Sequence, residues 1–107
     1  IDDRVRHLPI CVFEADADLR LTAANDAFRE FVLGGAPLAT GSAPWVNARP
    51  DERVAAERAW AAARPTGTTF VHEFRVGRPD GSTRWVQVAA EPVRDRAGAV
   101  TGHVGTA

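Results

Sequence analysis

The feature that most constrains the fold is the stretch "TFVHEFRVGRPDGSTRWVQVAAEPV" at 69–93, where apolar and polar residues alternate on both sides of one turn. Alternation with a period of two is typical of β-strands, and Asp-Gly is a strong signal for a tight hairpin turn. A turn centred on that pair places Phe74 opposite Val86 and Arg75 opposite Trp85. The sequence therefore predicts a long antiparallel hairpin.

The two faces of this hairpin differ in character. One is apolar and is expected to face the interior; it carries Phe74, Val76, Val86, Val88 and Ala90. The other is mostly polar; it carries Glu73, Arg75, Trp85, Gln87 and Ala89. A tryptophan on a sheet face needs cover, from Arg75 alone or from a flanking helix or second subunit. Cover by a flanking helix or a second subunit is favoured, because aromatic residues beside arginine are typical of interfaces.

The rest of the chain adds two strands and two helices before the hairpin and one strand after it. The segments at 8–16 and 19–25 have strand character and form a second hairpin. Asn25 is a good helix N-cap, and a short amphipathic helix follows it. The clearest helix is "RPDERVAAERAWAAA" at 49–63, with proline and acidic residues at its start. With a last strand at 99–107, the order predicts an α+β domain, an antiparallel sheet with helices on one face.

Composition excludes several kinds of partner. The chain has 107 residues, enough for one domain, and a net charge of -1. Its 13 basic residues, all arginine, are scattered among acidic ones, which predicts no nucleic-acid partner and no membrane contact. The single Cys11 excludes an internal disulfide and fits the cytoplasm, and no apolar run could span a membrane. Because the chain begins at Ile1, we expect it to be part of a longer protein.

Three stretches together resemble the PAS domain with its C-terminal PAC motif. They are "VFEADADLRLTAANDAF", "PWVNARPDERVAAERAWAAA" and "HEFRVGRPDGSTRWVQVAAEPVRDRAGAVTGHVGTA". The resemblance makes 1–107 a single PAS domain, with a PAS core at 8–107, the PAC motif at 68–107 and the end of a flanking segment at 1–7. The chain departs from the pattern at "LGGAPL", where Thr-Gly-Tyr is usual, and at Arg49, where histidine is common.

The resemblance implies a fold and a class of function. The fold is a five-stranded antiparallel sheet in the order 2-1-5-4-3, with short helices and one longer helix on one face. The function is that of a sensory or regulatory module in a bacterial signalling protein, such as a histidine kinase or a diguanylate cyclase. Such a module relays a signal to an output domain in the same chain. The alternative is a ligand-free platform for dimerisation or protein docking.

The candidate ligand pocket lies between the sheet and the helix at 50–63. Its predicted lining is Cys11, Phe13, Ala15, Phe28, His72, Phe74, Val76, Val86, Val88, Ala90 and His103. The same residues would also make an ordinary packed core. Two inward histidines could line a polar corner, or bind a metal or an acidic metabolite, but structural histidines bonded to a backbone carbonyl are more common. The predicted interface is Glu73, Arg75, Trp85 and Gln87, with flanking helices as the other route to a homodimer.

We expect neither an enzyme nor a resident cofactor. The three histidines lie on different segments, and no catalytic or phosphate-binding motif is present. Flavin-binding members of the family need a reactive cysteine in a helix that corresponds to "GGAPLATGSAPW", which has none. Haem-binding members usually place a histidine on or beside the long helix, which also has none. We therefore predict no flavin, no haem and no metal, while an unknown small molecule stays open.

Overall fold

A computed structural model describes residues 1–107 as a five-stranded antiparallel sheet with helices on one side. The elements are α1 (Asp3–Arg6), β1 (Val12–Asp16), β2 (Leu21–Ala24), α2 (Asp26–Phe31), α3 (Pro50–Ala63), a 3-10 turn (Arg64–Thr66), β3 (Phe70–Gly77), β4 (Thr83–Arg94) and β5 (Val100–Thr106). The strand order β2-β1-β5-β4-β3 confirms the predicted sheet. No helix combines the length and apolar character that crossing a membrane requires.

The hairpin of β3 and β4 has the predicted register. Phe74 pairs with Val86, and Arg75 pairs with Trp85. Gly81 takes a left-handed conformation in the turn, with φ 86°, which glycine adopts without strain. The inner face of the hairpin is buried, so period-two alternation correctly separated the interior from the exposed face.

Helix α3 begins and ends where the sequence predicted. Pro50 occupies the first helical turn, and Asp51 and Glu52 follow where the helix dipole favours negative charge. Its buried residues, Ala56 and Trp60, pack on the inner face of the sheet. The core is one cluster of 17 buried residues between this face and the helices.

The first strand is shorter than predicted, because the chain before it is held by a side chain. Asn25 is fully buried and caps α2 by accepting from the backbone N of Phe28 at 3.0 Å. Its oxygen also accepts from Val12, while its amide donates to the carbonyls of Val5 (3.2 Å) and Ile10 (2.7 Å). Val5, Ile10 and Val12 are therefore tied to Asn25, and β1 starts only at Val12.

Candidate functional site

Most of the predicted pocket lining is a packed interior. Phe13, Ala15, Phe28, Phe74, Val76, Val86, Val88 and Ala90 all belong to the buried cluster. The rings of Phe13 and Phe28, for example, are 5.3 Å apart. Cys11 lies just before β1 and packs half-buried against the cluster. Its burial raises the pKa of the thiol, which disfavours the reactive thiolate.

The two inward histidines are not brought together. On β4, His72 pairs with Val88 and His103 pairs with Pro92, so they are offset by roughly 13 Å along the strand at about 3.3 Å per residue. His72 stacks on the ring of Phe70 at 5.9 Å. No three His, Cys, Asp or Glu side chains cluster in a way that could hold a metal ion. The pair therefore forms no shared site.

A pocket of about 140 Å³ opens at the C-terminal end of α3, and His103 belongs to it. Its lining comes from four parts of the fold and consists of Ala17, Trp60, Ala63, Arg64, Gly67, Thr68, Pro92, Val100 and His103. The expected position between the sheet and the long helix included only His103 of this set. The other residues come from the β1–β2 turn, the end of α3 and the segment after it, β4 and β5.

His103 forms the floor of this pocket and has a defined orientation. The residue is 5% exposed, and its Nδ1 lies 2.9 Å from the carbonyl oxygen of Asp16. A carbonyl oxygen only accepts, so Nδ1 carries the proton of the neutral imidazole, and Nε2 of that tautomer presents a lone pair. Trp60 contacts the imidazole edge-on, with ring centroids 5.3 Å apart. His103 thus donates to a backbone carbonyl through Nδ1, and its Nε2 has no protein partner.

The outer face of the sheet brings the four predicted interface residues together. Trp85 is 64% exposed, and the Arg75 guanidinium lies over its ring, 5.1 Å from the centroid. Beside them, Gln87 donates to Glu73 at 3.2 Å. Val71 and Val104 on the same face are about half exposed. Arg75 therefore covers only part of Trp85, and an apolar surface stays open to solvent.

Glu52 on α3 connects the helix to this outer face, a link that the sequence did not indicate. Its carboxylate accepts from the backbone N of Arg75 at 3.0 Å and from Arg75 Nε at 3.1 Å. Since β3 is an edge strand, Glu52 satisfies a backbone donor that the sheet leaves unpaired. The same carboxylate holds the guanidinium that covers Trp85.

A second ion pair fixes α3 to the opposite side of the domain. Arg20, in the β1–β2 connection, donates through both terminal nitrogens to Glu57 at 2.9 and 3.1 Å. Trp45 Nε1 donates to the same carboxylate at 3.1 Å. The hydrogen bond from Arg20 is the main reason that the pKa of Glu57 is lowered from its ordinary value. Helix α3 is thus held at Glu52 and at Glu57.

Comparisons with known proteins agree on the fold. A family model described as "PAS fold" matches residues 5–107. An RNA-binding light-oxygen-voltage receptor is 28% identical, with a TM-score of 0.72; the match covers 96% of this chain and 30% of that receptor. The PAS domain of a protein from Colwellia psychrerythraea is 15% identical (TM-score 0.74), covering 95% of this chain and 86% of that one.

The Rhodobacter sphaeroides LOV protein is 20% identical with a TM-score of 0.74, covering 95% of this chain and 60% of its own. The chain thus spans less than a third of the light-oxygen-voltage receptor it matches, and PAS domains of this kind occur within larger proteins. A search of curated proteins finds no match. The family match, the strand order and the helical layer agree along nearly the whole length, and this chain belongs to the PAS fold family.

Proposed function

We propose that this PAS domain is the sensory module of a multidomain bacterial signalling protein, such as a histidine kinase or a diguanylate cyclase. It detects a small molecule or a partner and relays the change to an output domain in the same chain. The relay acts by population shift: the signal favours one packing of α3 against the sheet over another. The proposal places the domain in the cytoplasm, with residues 1–7 as the end of a flanking segment.

The observation that carries the proposal is the connection from Glu52 through Arg75 to Trp85. It joins the helical layer, where a signal would act, to the exposed outer face, where a partner would bind. A displacement of α3 moves the Glu52 carboxylate and thereby the guanidinium that covers Trp85. We propose that a second copy of the domain covers this face, centred on Glu73, Arg75, Trp85 and Gln87.

Light sensing and catalysis are not part of the proposal. Where α3 faces the sheet, Phe70 meets Trp45 and Trp60 edge-to-face at 6.1 and 5.4 Å, so packed aromatic rings fill this part of the interior. Residues 34–45 also carry no cysteine. Polar side chains at the candidate site are hydrogen-bonded to neighbouring elements and form no nucleophile–base pair, so we propose a non-catalytic module.

A second candidate function is a constitutive docking platform that senses nothing. The packed cluster that contains most of the predicted pocket lining favours it. Native mass spectrometry of the purified domain, followed by a denaturing measurement, separates the two. A non-covalent mass lost on denaturation supports sensing, whereas a bare dimer supports docking alone.

Sedimentation equilibrium tests the proposed interface. We expect a concentration-dependent dimer that Trp85→Glu converts to a monomer, because the substitution places a charge at the centre of the apolar face. Val54→Glu is the matched control, since Val54 is 51% exposed on α3, away from this face. A dimer that Trp85→Glu leaves intact, or that Val54→Glu disrupts equally, would contradict the assignment.

A further inference from the structure

The pocket at the end of α3 has a hydrogen-bond acceptor at its floor. His103 Nδ1 is engaged by the Asp16 carbonyl, so the imidazole cannot turn Nε2 away without losing that bond. Nε2 has no protein partner, yet no fully buried side-chain nitrogen or oxygen in the domain lacks one. Nε2 is therefore reached from the pocket that His103 lines. The lone pair on Nε2 accepts a hydrogen bond from an O–H or N–H group. His103 as a whole is only 5% exposed.

The walls of the pocket are apolar and its size is limited. Trp60, Pro92 and Val100 supply aromatic and aliphatic surface, with alanines completing the wall. A volume of about 140 Å³ is close to that of an engineered apolar cavity, ~150 Å³, that binds benzene. This volume suits a single six-membered ring.

The rim of the pocket carries one arginine, Arg64. Arg64 lines it with a half-exposed side chain and uses one guanidinium nitrogen for Asp18. Arg94 lies beside it, donating to the carbonyls of Gly67 at 2.7 Å and Gly98 at 2.8 Å. The Arg64 side chain makes no other protein hydrogen bond, so its remaining guanidinium N–H groups are free to donate, and the lining itself contains no acidic residue. An anion at the mouth of the pocket can therefore accept charge-assisted hydrogen bonds from Arg64.

We propose that this pocket binds a small hydroxyaryl carboxylate. The hydroxyl donates to His103 Nε2, the ring lies against Trp60, and the carboxylate meets Arg64 at the rim. His103, Trp60 and Arg64 would each contact a different part of the ligand. This inference rests on the proposed sensory function, because it names the chemical class that the module would detect. Trp60, at the pocket end of α3, lies about 12 Å along the helix from Glu52, at 1.5 Å per residue.

The test uses three probes that differ in one group each: 4-hydroxybenzoate, benzoate and phenol. Binding to the domain is followed by the ¹H–¹⁵N resonance of the Trp60 indole. We expect saturable binding of 4-hydroxybenzoate, and affinities about tenfold lower for benzoate and for phenol, since each lacks one hydrogen bond to a polar or charged group. No saturable change at Trp60, or equal affinities for all three probes, would overturn the proposal.

Two variants test separately the two proposed polar contacts of the ligand, with Arg64 and with His103. Arg64→Gln is expected to remove the preference for 4-hydroxybenzoate over phenol, and His103→Phe the preference over benzoate. The matched controls are Arg58→Gln, at an exposed position of α3 outside the pocket, and His72→Phe, the inward histidine outside the pocket. Preferences that survive both Arg64→Gln and His103→Phe would overturn the assignment. The dimerisation test of the outer face does not depend on this result, so a pocket that fails leaves the proposed relay to be judged separately.

Discussion

The Glu52 carboxylate binds Arg75 at both its backbone N and its Nε, at 3.0 and 3.1 Å. The two residues lie on different layers of the domain, one on α3 and one on the edge strand β3. Glu52 is mostly buried and Arg75 about one-third exposed, so the pair is less screened by solvent than an ordinary surface ion pair. It positions the guanidinium over Trp85 and makes the outer face depend on where α3 lies.

Removing this carboxylate is expected to lower stability moderately. Glu52→Ala leaves an edge-strand N–H and a guanidinium without their partner, so we expect the free energy of unfolding to fall by about 1–2 kcal/mol. A double-mutant cycle with Arg75→Ala, measured by urea denaturation, should give a coupling energy of at least about 0.5 kcal/mol. Glu73→Ala, on the exposed face, is the control and should change stability by less. Additive effects of the Glu52 and Arg75 substitutions would contradict the link.

Asn25 is expected to be the most sensitive polar residue in the domain. Its side chain makes four hydrogen bonds while fully buried, two as acceptor and two as donor. Asn25→Ala removes a helix cap and leaves buried backbone groups unpaired, for a loss of about 2–4 kcal/mol. Amide hydrogen exchange should also accelerate in residues 5–12. Asn47→Ala, at an exposed site, serves as the control. An equally small loss of stability in both variants would refute the structural role given to Asn25.

Gly105 is required by close approach of neighbouring atoms. A Cβ at this position would lie 2.6 Å from the Ala89 carbonyl oxygen and meet the ring of Phe13. The first is backbone in the centre of the sheet and cannot move aside, so Gly105→Ala should cost about 1–3 kcal/mol or more by overpacking. Gly77→Ala is the matched control, because nothing lies within 4 Å of its Cβ position. Thermal unfolding of the two variants should separate them clearly, and equal melting temperatures would disprove the packing argument.

The Arg20–Glu57 pair predicts a defined pH dependence. The pKa of Glu57 is lowered in the folded state, chiefly by Arg20, so its contribution is present above the unfolded pKa of about 4.3 and is lost as pH falls below it. Arg20→Gln should therefore be less stable than the wild type by about 0.5 kcal/mol near pH 7, a value discounted for partial exposure. The difference should shrink near pH 3. A difference that stays constant or grows on acidification would contradict this sign.

The β3–β4 hairpin could be predicted from sequence because its signals are local, whereas the strand order of the sheet followed from the resemblance to PAS domains. Alternation and an Asp-Gly turn fix both the register and the two faces, which is why Arg75 and Trp85 were correctly paired. The same rule placed His72 and His103 on the inner side. It could not tell whether inward residues line a cavity or fill a core, because that depends on how side chains from distant segments pack.

The remaining features depend on contacts between segments far apart in the chain. Glu52 appeared to be a helix N-terminal charge, and its contact with Arg75 requires the orientation of α3 on the sheet. The pocket around His103 requires the β1–β2 turn and the segment after α3 to meet. The sequence also does not predict the backbone conformation of Leu19. This residue is buried with a left-handed φ of 59°, a conformation that sequence patterns assign to glycine or asparagine.

The measurement that tests the account most directly is the dimer dissociation constant of the wild type, Glu52→Gln and Asp51→Asn by sedimentation equilibrium. Glu52→Gln leaves Arg75 without its charged partner beneath the proposed interface, whereas Asp51→Asn changes an exposed neighbour on the same helix turn. If α3 controls the outer face, the Kd for Glu52→Gln rises about tenfold and that for Asp51→Asn stays at the wild-type value. Equal constants for all three proteins, or a wild type that remains monomeric, would contradict the central claim that the helix sets the state of the Trp85 face.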